Sequence, residues 1–172
     1  MNADDLRALQ APIKDRYRDD PSSAAVTLTS RGVLGQESIT CKVETGRAIV
    51  EAGLHPAAGG DGSGACSGDM LLEALVACAG VTLRAVATAI GAEVRGGTVT
   101  AEGDLDFRGT LGVDKTAPVG FTAIRLKFEL DSPADGATLE TLRRLTERYC
   151  VIYQSLAKPP AITCAIAGGP AA

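Results

Sequence analysis

The 172-residue sequence predicts an α+β fold, with runs of antiparallel strands beside two long helices. Three observations predict it. Residues 64–90 begin in a glycine-rich loop and run on with little charge, as a helix buried inside a soluble protein would. Residues 98–107 and 122–130 alternate apolar and polar side chains, the signature of antiparallel strands with one wet face. Residues 137–156 carry a helical apolar stripe of Leu139, Leu142, Leu145, Tyr149 and Ile152.

Taken in order, residues 3–17 form a short helix with Leu6, Leu9 and Ile13 on one side, kinked or ended by Pro12. Asp19, Asp20 and Pro21 make a turn, and residues 25–30 a strand. Residues 38–44 alternate with Ile39, Cys41 and Val43 on one face, and Thr45-Gly46 turns the chain into a third strand at 47–51. The loop 53–68 holds six glycines, His55 and Cys66. Glycines before a helix can cradle an anion, but neither GxxxxGK[ST] nor GxGxxG is present, which favours plain turns. In residues 98–107, Val99, Ala101, Leu105 and Phe107 face inward. Residues 111–120 form a loop, and in residues 122–130 Ile124, Leu126, Phe128 and Leu130 face inward. The outward Arg125 and Lys127 suit cross-strand pairing with Glu102 and Asp104. Pro159 and Pro160 end the second long helix, and residues 161–167 make a last strand with Ile162, Cys164 and Ile166 on one face. No repeat or linker divides the chain, so residues 1–172 read as one domain with residues 1–23 as a helical extension.

The run at 64–90 is long enough to invite comparison with a membrane span. Asp69, Glu73 and Arg84 interrupt it, five alanines between Ala74 and Ala87 weaken it, and no basic flank adjoins it. At about 100° per residue, Asp69, Glu73, Arg84 and Thr88 share one sector of the helix, and Cys78 lies opposite beside Leu71, Leu75 and Thr82. Free cysteine is among the most buried residue types, so a packing role explains Cys78 simply. A reactive thiol there needs a cation or a helix N-terminus to pull its pKa below about 8.5. Neither lies within one turn of it in the sequence. Cys66, just before the helix, has the positive end of the macrodipole beside it and by local electrostatics is the better thiolate candidate.

Composition narrows the classes. Hydrophobic residues at 45% and charged residues at 22% are those of a globular chain, and with aromatics at 3% the core must be built from alanine, valine and leucine. A net charge of −4 gives no reason to expect nucleic acid or an anionic membrane as partner. The opening MNADDLRALQ is acidic, without the basic and apolar regions of a signal peptide, which predicts a cytoplasmic, reduced protein. In that compartment paired cysteines are more often redox-active than structural. With no CxxC and one histidine among five cysteines, neither a metal nor a cofactor is expected.

The segments SGDMLLEALVACAGVTL and RYCVIYQSL resemble the OsmC/Ohr family of osmotically induced and organic-hydroperoxide-resistance proteins, over roughly residues 24–167. The second is similar to that family's Cys-x-Val-Ser-x-x-Leu segment. The resemblance implies an OsmC-like fold: an intertwined homodimer whose two long helices pack at the centre. It also implies that Cys78 and Cys150 approach each other, the first peroxidatic and the second resolving, with a lipoyl or thioredoxin-like dithiol as reductant and an organic hydroperoxide as substrate. Several positions depart from the pattern. Ser67 and Gly68 stand where the hydroperoxide-resistance branch has Pro-Glu, and Asp69 is the nearest acid, as in the less characterised branch. Arg31 is the nearest candidate for the family's activating arginine, and Val151 replaces the usual proline after the second cysteine. The expected site is therefore Cys78, Cys150, Arg31 and Asp69, with Leu71, Leu75 and Thr82 around the substrate and Cys66 and His55 as accessories. Two other readings compete with the peroxidase: a binding protein holding a fatty acyl chain or other small apolar ligand at the dimer interface, and a scaffold whose cysteines only pack.

Overall fold

The computed structural model describes residues 3–34, 41–43, 52–62 and 64–166. The chain opens with α1 (Ala3–Asp19); Pro12 lies inside this helix and does not end it. Tyr17, in its last turns, is fully buried and donates through its hydroxyl to the Ala57 carbonyl at 2.7 Å. Around Tyr17 a small second core gathers Ala24, Ala58, Phe107 and Leu111. The Asp20 carboxylate accepts from Ser22 N–H at 3.1 Å and starts a 3-10 turn at Pro21–Ala24, with proline where a helix can spare an N–H.

Strand β1 (Ala25–Leu34) runs four residues beyond the expected end, and β2 (Cys41–Val43) sits inside the expected strand at 38–44. The expected strand at 47–51 lies outside the described residues. The glycine-rich loop contributes β3 (Ala52–Gly53), a 3-10 turn at Pro56–Ala58 and β4 (Ala65–Cys66). β3 and β4 pair in parallel, an exception to the antiparallel expectation.

Next comes α2 (Ser67–Ile90), ended by Gly91 in the left-handed region at φ 69°, with its N–H returned to the last carbonyls. By length and composition α2 could cross a membrane, but Leu72, Leu75, Val76, Ala79, Leu83 and Val86 bury its inner side in the core.

Strand β5 (Gly96–Asp106) stops one residue short of the expected end. There Asp106 accepts from the Arg108 N–H and caps a single helical turn, α3 (Phe107–Thr110). β6 (Ala123–Asp131) follows. The four-stranded sheet has the order β2-β1-β5-β6, antiparallel throughout. Its register sets Arg125 opposite Glu102, and Arg125 pairs with Glu102 at 3.2 Å and Asp104 at 2.5 Å. Lys127 instead pairs with Glu129 on its own strand at 2.9 Å. The main core lies between sheet and helices, with Val99 and Ala101 of β5 against Leu75, Val76 and Ala79 of α2.

Two expectations at the C-terminal end need correction. The second long helix is not continuous: α4 (Gly136–Tyr149) and α5 (Val151–Ala157) are separated at Cys150. No strand forms over residues 161–166, where Ile162 and Ile166 are 86% and 95% exposed. Within the described chain no sheet edge pairs with this segment, and an unpaired strand has nothing to bury its apolar face against.

Candidate functional site

The break at Cys150 builds the site. Cys150 adopts an extended conformation, φ −71° and ψ 112°, closing α4 and opening α5. Its N–H still donates to Thr146 O at 2.9 Å, and its Sγ accepts from the Tyr153 N–H at 3.4 Å, as an N-cap side chain would. The first N–H groups of a helix have no carbonyl of their own to bond. Here the backbone N–H groups of Ile152 and Val151 act on the Cys78 thiol in favour of its anion, and α2 presents that thiol from the middle of its length. The hydroxyl of Thr82, one turn on from Cys78 and on the same side of α2, acts in the same direction.

Cys78 and Cys150 act on each other's acidity, and their acidities diverge. Burial raises the Cys78 thiol, but the Ile152 N–H, the Cys150 thiol, the Val151 N–H and the Thr82 hydroxyl all favour its thiolate and together hold it below the ordinary 9.0. Burial pushes the Cys150 thiol up to about 11; the Tyr153 and Ile152 N–H groups oppose this, and the neighbouring Cys78 sulfur adds to it. The two thiols titrate as a pair, with the shift favouring the anion at Cys78 and the neutral thiol at Cys150. Exposure follows the same division, with Cys78 half-buried and Cys150 fully buried. The main-chain groups acting on Cys78 come from the far end of the chain, beyond the one turn of sequence around it.

The remaining expected residues are spread more widely. Leu71 and Leu75 line an apolar cavity of about 1090 Å³ between α2, α4, α5 and the inward face of β6, together with Ile124, Leu126, Phe128, Leu130, Leu142 and Tyr153. Neither sulfur lines this cavity; Leu75 precedes Cys78 by one turn of α2, and Tyr153 follows Cys150 by one turn of α5. Thr82 is a donor to Cys78 and not a cavity residue. Asp69 sits in the first turn of α2, where burial raises its carboxyl and His55 opposes the rise. It is absent from the groups acting on Cys78. His55 stacks on Phe107 at 4.9 Å, and its Nδ1 accepts from Ala57 N–H at 3.0 Å. Cys66 starts α2 without a capping hydrogen bond from its sulfur and packs against the main core. Arg31 lies on β1 opposite Thr100 of β5, and its side chain falls outside the described residues. No cluster among the described residues groups three metal-binding side chains.

The sequence reading missed Val151, Ile152 and Gln154, whose side chain spans the break. A signal was present. Cys150, Val151 and Ile152 are three successive weak helix formers inside an otherwise strong helical stretch. The absent proline concealed it further, because proline after the cysteine would have marked a first helical position.

No curated protein matches the chain. An OsmC-like hydroperoxide resistance protein from Jannaschia sp. CCS1 has a similar structure, at a TM-score of 0.60 and 18% sequence identity over 86% of this chain and 97% of that one. That likeness is one of fold. The family model described as OsmC-like protein matches residues 60–165, well over half the chain and including both cysteines, and the chain therefore belongs to the OsmC-like protein family.

Proposed function

We propose that this chain is a thiol-dependent peroxidase that reduces organic hydroperoxides, acting as a soluble cytoplasmic homodimer. The observation that carries the reading is the Cys78–Cys150 contact, with the Val151 and Ile152 N–H groups turned onto the more acidic sulfur. The Cys78 thiolate attacks the distal oxygen of the hydroperoxide, the O–O bond breaks, and the alkoxide leaves and takes a proton to become the alcohol. Cys78 is left as a sulfenic acid. The Cys150 sulfur then attacks it, forming a Cys78–Cys150 disulfide and releasing water. A dithiol of lipoyl or thioredoxin-like chemistry reopens the bridge by exchange and is itself oxidised to a disulfide. The accessible, acidic sulfur suits the nucleophile and the sealed, protonated one suits the resolver. The leucines of the neighbouring cavity favour an organic chain over hydrogen peroxide. Arg31 remains the candidate cation for this site.

The test is peroxide consumption with a dithiol present. Cys78→Ser abolishes it, and Cys150→Ser permits a single turnover. A wild-type rate no faster than that of Cys78→Ser overturns the reading. The cavity of about 1090 Å³ separately supports a binding protein for a fatty acyl or other small apolar ligand. Native mass spectrometry decides between the two: a co-purified lipid with thiols inert to hydroperoxide supports binding, and a loss of about two protons' mass per subunit after hydroperoxide supports the peroxidase.

A further inference from the structure

The break at Cys150 leaves a debt in backbone hydrogen bonds. In an unbroken helix the Glu147 carbonyl would accept from the Val151 N–H, four residues on. Here the Val151 N–H makes no bond to that carbonyl, and it acts on the Cys78 thiol in favour of the anion. The Glu147 carbonyl is supplied instead by the half-buried Gln154, whose Nε2 donates to it at 2.7 Å. The backbone N–H of the same residue donates to Cys150 O at 2.9 Å. Gln154 thus ties the end of α4 to the first turn of α5 from both sides of the extended residue. A carbonyl stripped of its donor in a half-buried position is costly, and the nearest replacement is the Val151 N–H.

We propose that Gln154 is a positioning residue: by occupying the Glu147 carbonyl it keeps α4 from continuing through Cys150 and leaves the Val151 N–H turned toward Cys78. The proposal rests on the reading of Cys78 as the reactive sulfur. It gives the glutamine an exchange role, in which a side-chain amide takes over a helical hydrogen bond so that a main-chain amide is free to serve a thiolate.

The test follows the alkylation rate of Cys78 against pH in the intact chain, resolved by peptide mass spectrometry, and needs no peroxide. Gln154→Met keeps the length and helix preference of the side chain and removes the donor. It moves the profile to higher pH and slows alkylation at pH 7 about tenfold, the size of one hydrogen bond to a charged group. Gln154→Arg restores a donor and returns the profile to the wild-type position or below. Gln154→Glu, a second isostere without a donor when ionised, serves if the methionine variant does not fold, as judged by circular dichroism. A double-mutant cycle isolates the route. In a Val151→Pro background there is no N–H at position 151 to recapture, so Gln154→Met changes nothing further. A folded Gln154→Met protein with the wild-type profile overturns the proposal, and so does equal slowing in the Val151→Pro background. Wild-type protein that consumes no hydroperoxide but shows the Gln154→Met shift supports the positioning role and defeats the peroxidase reading alone.

Discussion

A thiol becomes a useful nucleophile when hydrogen bonds stabilise its anion more than burial penalises it. Among the described residues, the groups that favour the Cys78 thiolate are two main-chain N–H groups, a thiol and a hydroxyl. Because its pKa is lowered, alkylation of Cys78 should rise with pH and level off below the ordinary 9.0, while Cys150, pushed up to about 11, stays unreactive across the same range. Peptide-resolved alkylation from pH 5 to 10 measures both (about the span over which free thiols titrate). Cys150 reacting before Cys78 would reverse the assignment of nucleophile and resolver. Thr82→Val keeps the shape of the side chain and deletes one donor. It should shift the Cys78 profile upward and slow the reaction at neutral pH by about fivefold, as one ordinary hydrogen bond is worth about 1 kcal/mol.

At the scale of elements, what matters is a helix that stops for one residue and starts again. Val151 occupies the first position of α5, where proline is tolerated, and Cys150 before it already has the extended backbone that a following proline demands. Val151→Pro should therefore fold with unchanged or slightly raised thermal stability, since proline restricts the unfolded chain. It should nevertheless lower Cys78 reactivity at pH 7 about tenfold by removing one N–H donor. A variant with reduced stability and an unchanged Cys78 profile would mean that the Val151 N–H does not serve the sulfur. β5, β6 and α2 were legible in the sequence because each has a clear period: two in β5 and β6, and helical spacing for the buried side of α2. The break was masked in the apolar pattern, because Leu142, Leu145 and Ile152 keep packing against the main core on both sides of it. An apolar stripe reports which side chains are inside, and carries no information on where the N–H groups between them point. The pairing of Cys78 with Cys150 came from the family resemblance, whereas their unequal acidity required the conformation of Cys150 itself.

For the whole molecule, the unburied apolar surface sets the argument. Residues 161–166 present Ile162 and Ile166 at 86% and 95% exposure, and the cavity beside β6 is lined by leucines and phenylalanines with Lys127, Glu140, Arg143 and Glu147. Lone exposed residues are ordinary, but an alternating exposed segment and an edge strand in the same chain suit pairing between copies. In the proposed homodimer each tail adds to the partner's sheet and buries its isoleucines. Ile162→Asp with Ile166→Asp should then weaken dimerisation by at least about a hundredfold, at roughly 1.5 kcal/mol or more for each apolar side chain no longer buried. Sedimentation velocity at micromolar concentration measures it. A wild-type monomer, or a double variant that sediments as an intact dimer, would defeat this assembly. Among the described residues, every group that acts on Cys78 comes from α2, Cys150 or α5 of its own chain. The monomeric variant should therefore keep the wild-type alkylation profile while losing preference for long apolar hydroperoxides. Loss of the profile on dissociation would instead mean that the partner holds α5 in place against Cys78.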